Sequence, residues 1–389
     1  MSGTALLLRG GRALVGDDWR QPCDVRVAGG RVAAIGADLP HDGAQVFDAA
    51  GLEIVPGFVD LHVHGAGGAM FEDGRPDHVR HIRAAVAVDG TTAILATLAA
   101  LAPDDLERAV AAIAAGNDIW GARLLGIHLE GPFLNPRRAG AQQAEWMRPP
   151  DVDEVDRLQV RCGGLIRHVT VAPELDGALP FIAALRQRGI TVSLGHSEAS
   201  ADEVEAAIAA GATHVTHLFN AMAPFHHRAV GLAGVALSDD RLAVEVIADG
   251  VHVDRRALGL AMRAKPSGGW LLVSDGVAAG CRPGPVHLFG ADCVIGDAVR
   301  IASDGRLAGS CLSLTAAVRN LRAWFPAVEP AAVLDAASRH PAASIGRVDD
   351  CGVLAVGRAA DLAVLDPAGG LRAVVVEGEL FPEAGRHAS

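Results

Sequence analysis

Two histidines one residue apart close the apolar run Pro56-Gly57-Phe58-Val59-Asp60-Leu61-His62-Val63-His64. Along a strand, residues i and i+2 project to the same side, so His62 and His64 direct both imidazoles at one spot. Converging imidazoles suit a first-row transition metal. The pair does not stand alone. Leu124–Ile127 leads into His128-Leu129-Glu130, Thr191–Leu194 into Gly195-His196, His214–Thr216 into His217, and Leu271–Val273 into Ser274-Asp275. Separate strands that each deliver a ligand at the carboxyl end describe a barrel with a metal at its mouth.

His62, His64, Glu130, His196, His217 and Asp275 together offer four imidazoles and two carboxylates. A mixed nitrogen and oxygen shell suits zinc or iron, whereas calcium and magnesium favour oxygen alone. A lone histidine in an apolar run is ordinarily a hydrogen-bonded core residue, and it is the coincidence of five strand ends that sets these apart. His78, His81, His168, His214, His287, His340 and His387 have no such placement and read as structural or surface residues. Some barrel hydrolases bridge two metals with a carboxylated lysine on a central strand. The single lysine here, Lys265, lies just before the last strand, so Glu130 is the group able to bind one metal or bridge two.

The elements that must position these groups alternate between strand and helix. Strands are predicted at Val59–His64, Thr92–Thr97, Leu124–Glu130, His168–Ala172, Thr191–His196, His214–Leu218, Ala243–Ala248 and Leu271–Asp275. Helical patterns at Pro76–Val88, Pro103–Ala115, Ala178–Gln187, Ala199–Ala209 and Asp254–Arg263 separate most of them, and Leu314–Phe325 and Pro330–Ser338 read as closing helices. Eight such units predict an α/β fold, a (β/α)₈ TIM-like barrel. Arg300–Ser310 reads as a β excursion. Both termini are β-patterned. Ala5–Leu8 and Arg12–Val15 flank Gly10-Gly11, and Asp24–Val27 joins Arg31–Ile35 through Gly29-Gly30. Asp361–Leu365 joins Arg372–Val376 through Pro367–Gly370. Neither end can bury a core alone, so residues 1–55 and 350–389 are expected to form one small β-sandwich domain beside a catalytic barrel of residues 56–349.

The chain has 389 residues, half of them hydrophobic, and a formal charge of −12. That charge argues against nucleic acid or an anionic membrane as a partner, while leaving room for a few local cations to serve one phosphate. Six scattered cysteines without a Cys-x-x-Cys pair suit a reducing compartment. No apolar run reaches spanning length and no leader pattern opens the chain, so a cytoplasmic location is expected.

Several blocks carry a strong resemblance. They are Pro56–Gly65, His128-Leu129-Glu130-Gly131-Pro132-Phe133, Leu194-Gly195-His196-Ser197, Thr216-His217-Leu218-Phe219-Asn220-Ala221-Met222, Ala248-Asp249-Gly250-Val251-His252 and Val273-Ser274-Asp275. Leu307–Ser310 and Gly352–Leu365 add to them. Over nearly its whole length the chain resembles the N-acetylglucosamine-6-phosphate deacetylases of the amidohydrolase superfamily. The resemblance implies amide hydrolysis of an N-acetyl amino-sugar phosphate. Glu130, His196 and His217 would hold the metal common to the family, and His62 and His64 belong to a branch able to bind a second, so one or two zinc or iron ions per chain are expected. Asp275 would be the acid/base, taking a proton from water acidified by the metal and returning it to the leaving amine. For the phosphate, the resemblance points to Arg228 and His252, with the backbone N–H groups of Asn220 and Ala221 as an anion cap. Within the family the arginine reaches the neighbouring subunit's site, which implies a homodimer. One position departs: the family usually has histidine after the Gly-Ala of the loop following Pro-Phe, where it polarises the substrate carbonyl. Here Gly140-Ala141 is followed by Gln142. A neutral amide there keeps N-acetyl-D-galactosamine 6-phosphate, or another N-acyl amino sugar, as the alternative substrate. A non-catalytic barrel serving as an interaction protein is the other-class alternative, and the retention of all six metal-capable residues counts against it.

Overall fold

The computed structural model describes residues 5–118, 121–266, 268–277 and 282–381. Eight strands, numbered here β1 to β8, line up in chain order as one parallel sheet: β1 Phe58–Val63, β2 Thr91–Ala99, β3 Arg123–Glu130, β4 Ile166–Val171, β5 Thr191–Leu194, β6 His214–Val215, β7 Ala243–Val246 and β8 Trp270–Leu272. The barrel closes beyond the end of β8, where Val63 bridges Gly276 in parallel. There the Asp275 N–H donates to His62 O at 2.9 Å, and the Ser274 N–H reaches Asp60 Oδ1 at 3.2 Å. The predicted barrel is present.

Three ladders end sooner than the apolar runs suggest, and the reason lies in the candidate ligands. His196, His217 and Asp275 have φ of +48°, +30° and +47°. A left-handed residue cannot continue a strand, so the chain turns out of the sheet as it delivers each side chain. Such conformations cost about 1–3 kcal/mol each and persist where the surroundings hold them, as at active sites.

The helices pack an apolar stripe on the barrel. In Pro103–Ala115, Leu106, Ala109, Val110 and Ile113 recur at helical spacing and are buried. Ala201–Ala210 starts on a capping box in which Ser200 and Glu203 satisfy each other's backbone N–H groups. Periodicity did not reveal three of the described helices, the shortest being Arg339–Ser344. Val152–Arg161 is half charged, with Val155 and Leu158 as its buried apolar residues, and Gly231–Ser238 is apolar all round.

The terminal segments share a second sheet, in the order Glu379–Leu380, Leu371–Val376, Leu362–Leu365, Glu53–Pro56, Leu6–Val15, Asp18–Ala28, Arg31–Gly36, with Gln45–Asp48 also on Leu6–Val15. The residues leading into its strand Leu362–Leu365 make further contacts, since Arg31 bridges Ala359 and the Gly378 N–H donates to Ala360 O at 3.0 Å. Leu8, Val25, Ile54, Leu362 and Val375 lie in its separate core. Gly10-Gly11 does not break the first strand but forms an irregularity within it. A Cβ on Gly11 would stand 2.8 Å from Ile54 Cδ1 and 3.2 Å from Ala49 Cβ, so a larger residue there would have to displace the Ile54 side chain. The β excursion begins earlier than predicted, as a three-stranded antiparallel sheet of Gly284–Leu288, Ala291–Ile295 and Val299–Ile301. Cys281 lies outside the described residues, and no disulfide joins the cysteines within them. No described helix is long and apolar enough to cross a membrane.

Candidate active site

The six predicted ligands meet at the carboxyl end of the barrel in two groups, His62–His64–Asp275 and Glu130–His196–His217. Within each group, ligand atoms lie within 4.8 Å of one another. Glu130 stands between the groups. Its Oε1 is 2.8 Å from His217 Nε2 and 3.1 Å from His196 Nε2, while Oε2 faces His64 Nε2 at 3.2 Å. Asp275 Oδ1 lies 3.4 Å from His62 Nε2 and 3.7 Å from His64 Nε2. All six residues are buried.

Partners behind three of the rings set their orientation. His62 Nδ1 lies 3.0 Å from Glu245 Oε2 and His64 Nδ1 2.7 Å from Glu72 Oε1. His196 Nδ1 donates to Arg138 O at 2.8 Å. An Nδ1–H held by an acceptor leaves the Nε2 lone pair pointing inward, the arrangement metal-ligating histidines adopt. The inward nitrogens face each other closely, at 3.1 Å between His196 and His217 and 3.3 Å between His62 and His64. A shared cation satisfies such opposed lone pairs. The residues therefore fit a mixed-shell metal.

The electrostatics agree. Burial lowers the pKa of His62, yet the Glu130 and Asp275 carboxylates outweigh it and hold the ring well above its ordinary value. Burial is likewise overcome at His64, where Glu72 and Glu130 raise the pKa to about 9. Burial works against the Glu130 carboxylate, but His62 and His196 hold its pKa well below the usual range. The spot favours positive charge, which protons or a divalent cation can supply.

A cavity of about 250 Å³ opens over the cluster, and Gln142, Asn220, Ala221 and His252 line it. Gln142 is tied at both ends of its amide. The Ala100 N–H donates to Oε1 at 2.8 Å, and Nε2 donates to Glu130 Oε2 at 2.8 Å. One amide hydrogen remains for a ligand. The expected backbone cap is narrower than predicted, because the Asn220 N–H already donates to His217 O at 2.9 Å. His252 is held through Nδ1 by Asp249 Oδ2 at 2.6 Å, and its buried Nε2 has no protein partner. Arg228 is not brought to this cavity within one chain: it is exposed and contacts His227 Nε2 at 2.8 Å.

Residues the motifs did not flag complete the site. Glu245 is a lone acid in the apolar strand β7, and that mismatch was its signal. Glu72 carried none, sitting in a short turn of 3₁₀ helix after β1. Arg306 and Phe289 join the cavity wall from the β excursion, with the Phe289 ring edge-on to His64 at 5.3 Å. The unassigned His168 and His214 are buried in the barrel interior, in a file of rings running from His62 through His128.

Four imidazoles and two carboxylates at the carboxyl ends of a (β/α)₈ barrel define a metal-hydrolase class of site. The chain belongs to the amidohydrolase family, whose profile matches residues 54–381, and it is a hydrolytic enzyme. Among its relatives, N-acetylglucosamine-6-phosphate deacetylase of Bacillus subtilis (strain 168) is 35% identical over 349 residues, 88% of each chain. N-acetylgalactosamine-6-phosphate deacetylase of Escherichia coli O157:H7 is 34% identical over 377 residues, 96% of this chain and 98% of that one. Among solved structures, a mutant N-acetyl-D-glucosamine-6-phosphate deacetylase from Mycobacterium smegmatis, in complex with N-acetyl-D-glucosamine-6-phosphate, superposes with a TM-score of 0.89. It is 35% identical, and the match covers 97% of this chain and 100% of that one.

Proposed function

We propose that the chain removes the N-acetyl group of N-acetyl-D-glucosamine 6-phosphate, giving D-glucosamine 6-phosphate and acetate. The observation that carries this reading is the convergence of Glu130, His196, His217 and Asp275 under one cavity, in a fold shared with the enzyme solved with that substrate. Glu130, His196 and His217 would hold one divalent metal, zinc or iron, and His62, His64 and Asp275 would serve a second. When bound, the metal acts as a Lewis acid that acidifies water and polarises the acetyl carbonyl.

Asp275 accepts the water proton as the new C–O bond forms at the acetyl carbon. It then delivers that proton to the amine nitrogen as the C–N bond breaks. Its backbone is pinned on two sides, by His62 O at 2.9 Å and by the Ser310 N–H at 2.8 Å, so the carboxylate meets the reacting atoms in a set position. The remaining amide hydrogen of Gln142 supports the carbonyl oxygen. His252 Nε2 and the Ala221 N–H face the sugar phosphate, and Arg228 of a second subunit completes the phosphate site in a homodimer. The charge of −12 argues against nucleic acid or an anionic membrane as a partner, and a cytoplasmic place suits a sugar-phosphate substrate.

The alternative, N-acetyl-D-galactosamine 6-phosphate, keeps support from the comparable identity to the Escherichia coli enzyme. Acetate release from both sugars, with and without added zinc or iron, tests the proposal. Metal-dependent release, faster from the glucosamine substrate, is expected. Release from neither would overturn the deacetylase reading.

A further inference from the structure

A second cavity, also of about 250 Å³, lies behind the wall of the first. Met70, Ala100, Leu101, Trp146 and Leu288 form its apolar side, and Glu72, Asp73, Asp105 and His287 its polar side. Gln142 and Phe289 line both cavities and so form the partition between them. Gln142 is clamped at both ends of its amide. Phe289 is the other half of the wall, and its placement is unusual.

Phe289 and Gly290 are the two-residue loop of the hairpin in which Leu288 pairs with Ala291. Their φ values are +51° and +74°. Such a loop favours Asn, Asp or Gly at its first position, because that residue must take positive φ. A bulky aromatic there is strained, and strain of this kind points to a role for the side chain. The tip is fixed as well: Gln143 Nε2 donates to Phe289 O at 2.9 Å. The same Gln143 amide fills the space beside Gly290, where a Cβ would come within 1.5 Å of Nε2. The hairpin therefore holds one large ring against His64, between the two cavities.

The direction of the substrate gives that ring its function, and here the inference rests on the deacetylase reading above. The acetyl carbon must come within reach of Asp275 and the Glu130 group. The sugar and phosphate extend toward the polar side formed by Asn220, Ala221, His252 and Arg306. For the methyl end of the acyl group the cavity offers Ala141, Leu307 and the Gln142–Phe289 wall, and of these, among the described residues, only that wall has a further cavity behind it. We propose that Phe289 limits the N-acyl group to acetyl, and that the cavity behind it is a latent site for a straight acyl chain of about four carbons.

Measuring kcat/KM on N-acetyl-, N-propionyl- and N-butyryl-glucosamine 6-phosphate tests this. In the native enzyme, a wall that refuses added methylenes lowers kcat/KM by about tenfold or more from acetyl to butyryl. Phe289→Ala opens the partition and raises the butyryl-to-acetyl ratio by about tenfold or more, with Phe289→Leu intermediate. The milder variant carries the test if the alanine variant fails to fold. An unchanged ratio in a folded variant that still hydrolyses the acetyl substrate overturns this inference alone, as does native preference for butyryl. Failure of the native enzyme on every acyl sugar overturns the deacetylase reading itself.

Discussion

Gln142 holds one oxygen of the Glu130 carboxylate, which stands between the two halves of the cluster. Its Nε2 donates to Glu130 Oε2 at 2.8 Å, while Oε1 faces His217 and His196 at 2.8 and 3.1 Å and His62 at 3.4 Å. The assignment of the amide follows from its other end, where the Ala100 N–H requires an acceptor and so faces Oε1. Gln142 is thus a neutral strut between the end of β2 and the carboxylate that stands between the two groups.

Gln142→Ala should therefore weaken metal binding. Loss of a residue that orients a ligand costs roughly 10–100-fold in metal affinity, and the abandoned Ala100 N–H costs about 1–3 kcal/mol of stability. Competition with a chelator reads the first effect and thermal unfolding the second. Native metal affinity in the variant would contradict the strut.

The two ligand groups predict up to two divalent ions per chain. Replacing His62 and His64 together by asparagine should leave at most one, because Glu130, His196 and His217 stay intact. Metal analysis of the loaded proteins decides it, and equal metal content in the two proteins would rule out the second position.

Acid should destabilise the barrel through histidines that bind no metal. Burial lowers His168 to about 3 and His214 to about 4, against an ordinary value of 6.5. Both remain neutral in the folded chain while the unfolded chain takes up protons below pH 6.5. Their stabilisation is complete above that pH and is lost as pH falls toward 4 and then 3. Each contributes a slope of at most about 1.4 kcal/mol per pH unit. Unfolding measured from pH 7 to 5 should show this fall, and His168→Met should flatten it by about one proton. An unchanged slope would mean that His168 is protonated in the native state.

Arg228 should matter for phosphate and not for the amide. Arg228→Ala is expected to lose roughly ten- to hundredfold in affinity for phosphorylated substrate, the worth of one charge-assisted contact. The unphosphorylated sugar should show no such loss. Mixing Arg228→Ala with Asp275→Asn chains should restore some activity if the arginine crosses a dimer interface. No recovery after demonstrated subunit exchange would refute the shared site.

Much of this site was legible because metal ligands at strand ends leave a repeated local signature: an apolar run closed by histidine, glutamate or aspartate. That pattern located the six residues that come together in the two groups, and the order of the eight strands. It could not reveal Glu245, which meets His62 across 183 residues of chain, or Glu72, whose turn has no periodicity. Phe289 was hidden for a similar reason, since its effect depends on a positive φ at a hairpin tip rather than on any spacing. The ladder ends were overextended for a physical reason: apolar patterning continues past the point where His196, His217 and Asp275 turn out of the sheet.

The central claim is that Asp275 moves the proton in a metal-dependent deacetylation. The most direct test is the rate of acetate release from N-acetyl-D-glucosamine 6-phosphate by metal-loaded native enzyme and by Asp275→Asn, with the metal content of both measured. The account predicts that the variant keeps its fold and the metal held by Glu130, His196 and His217, yet turns over about 10²–10⁴-fold more slowly. Turnover near the native rate would contradict it.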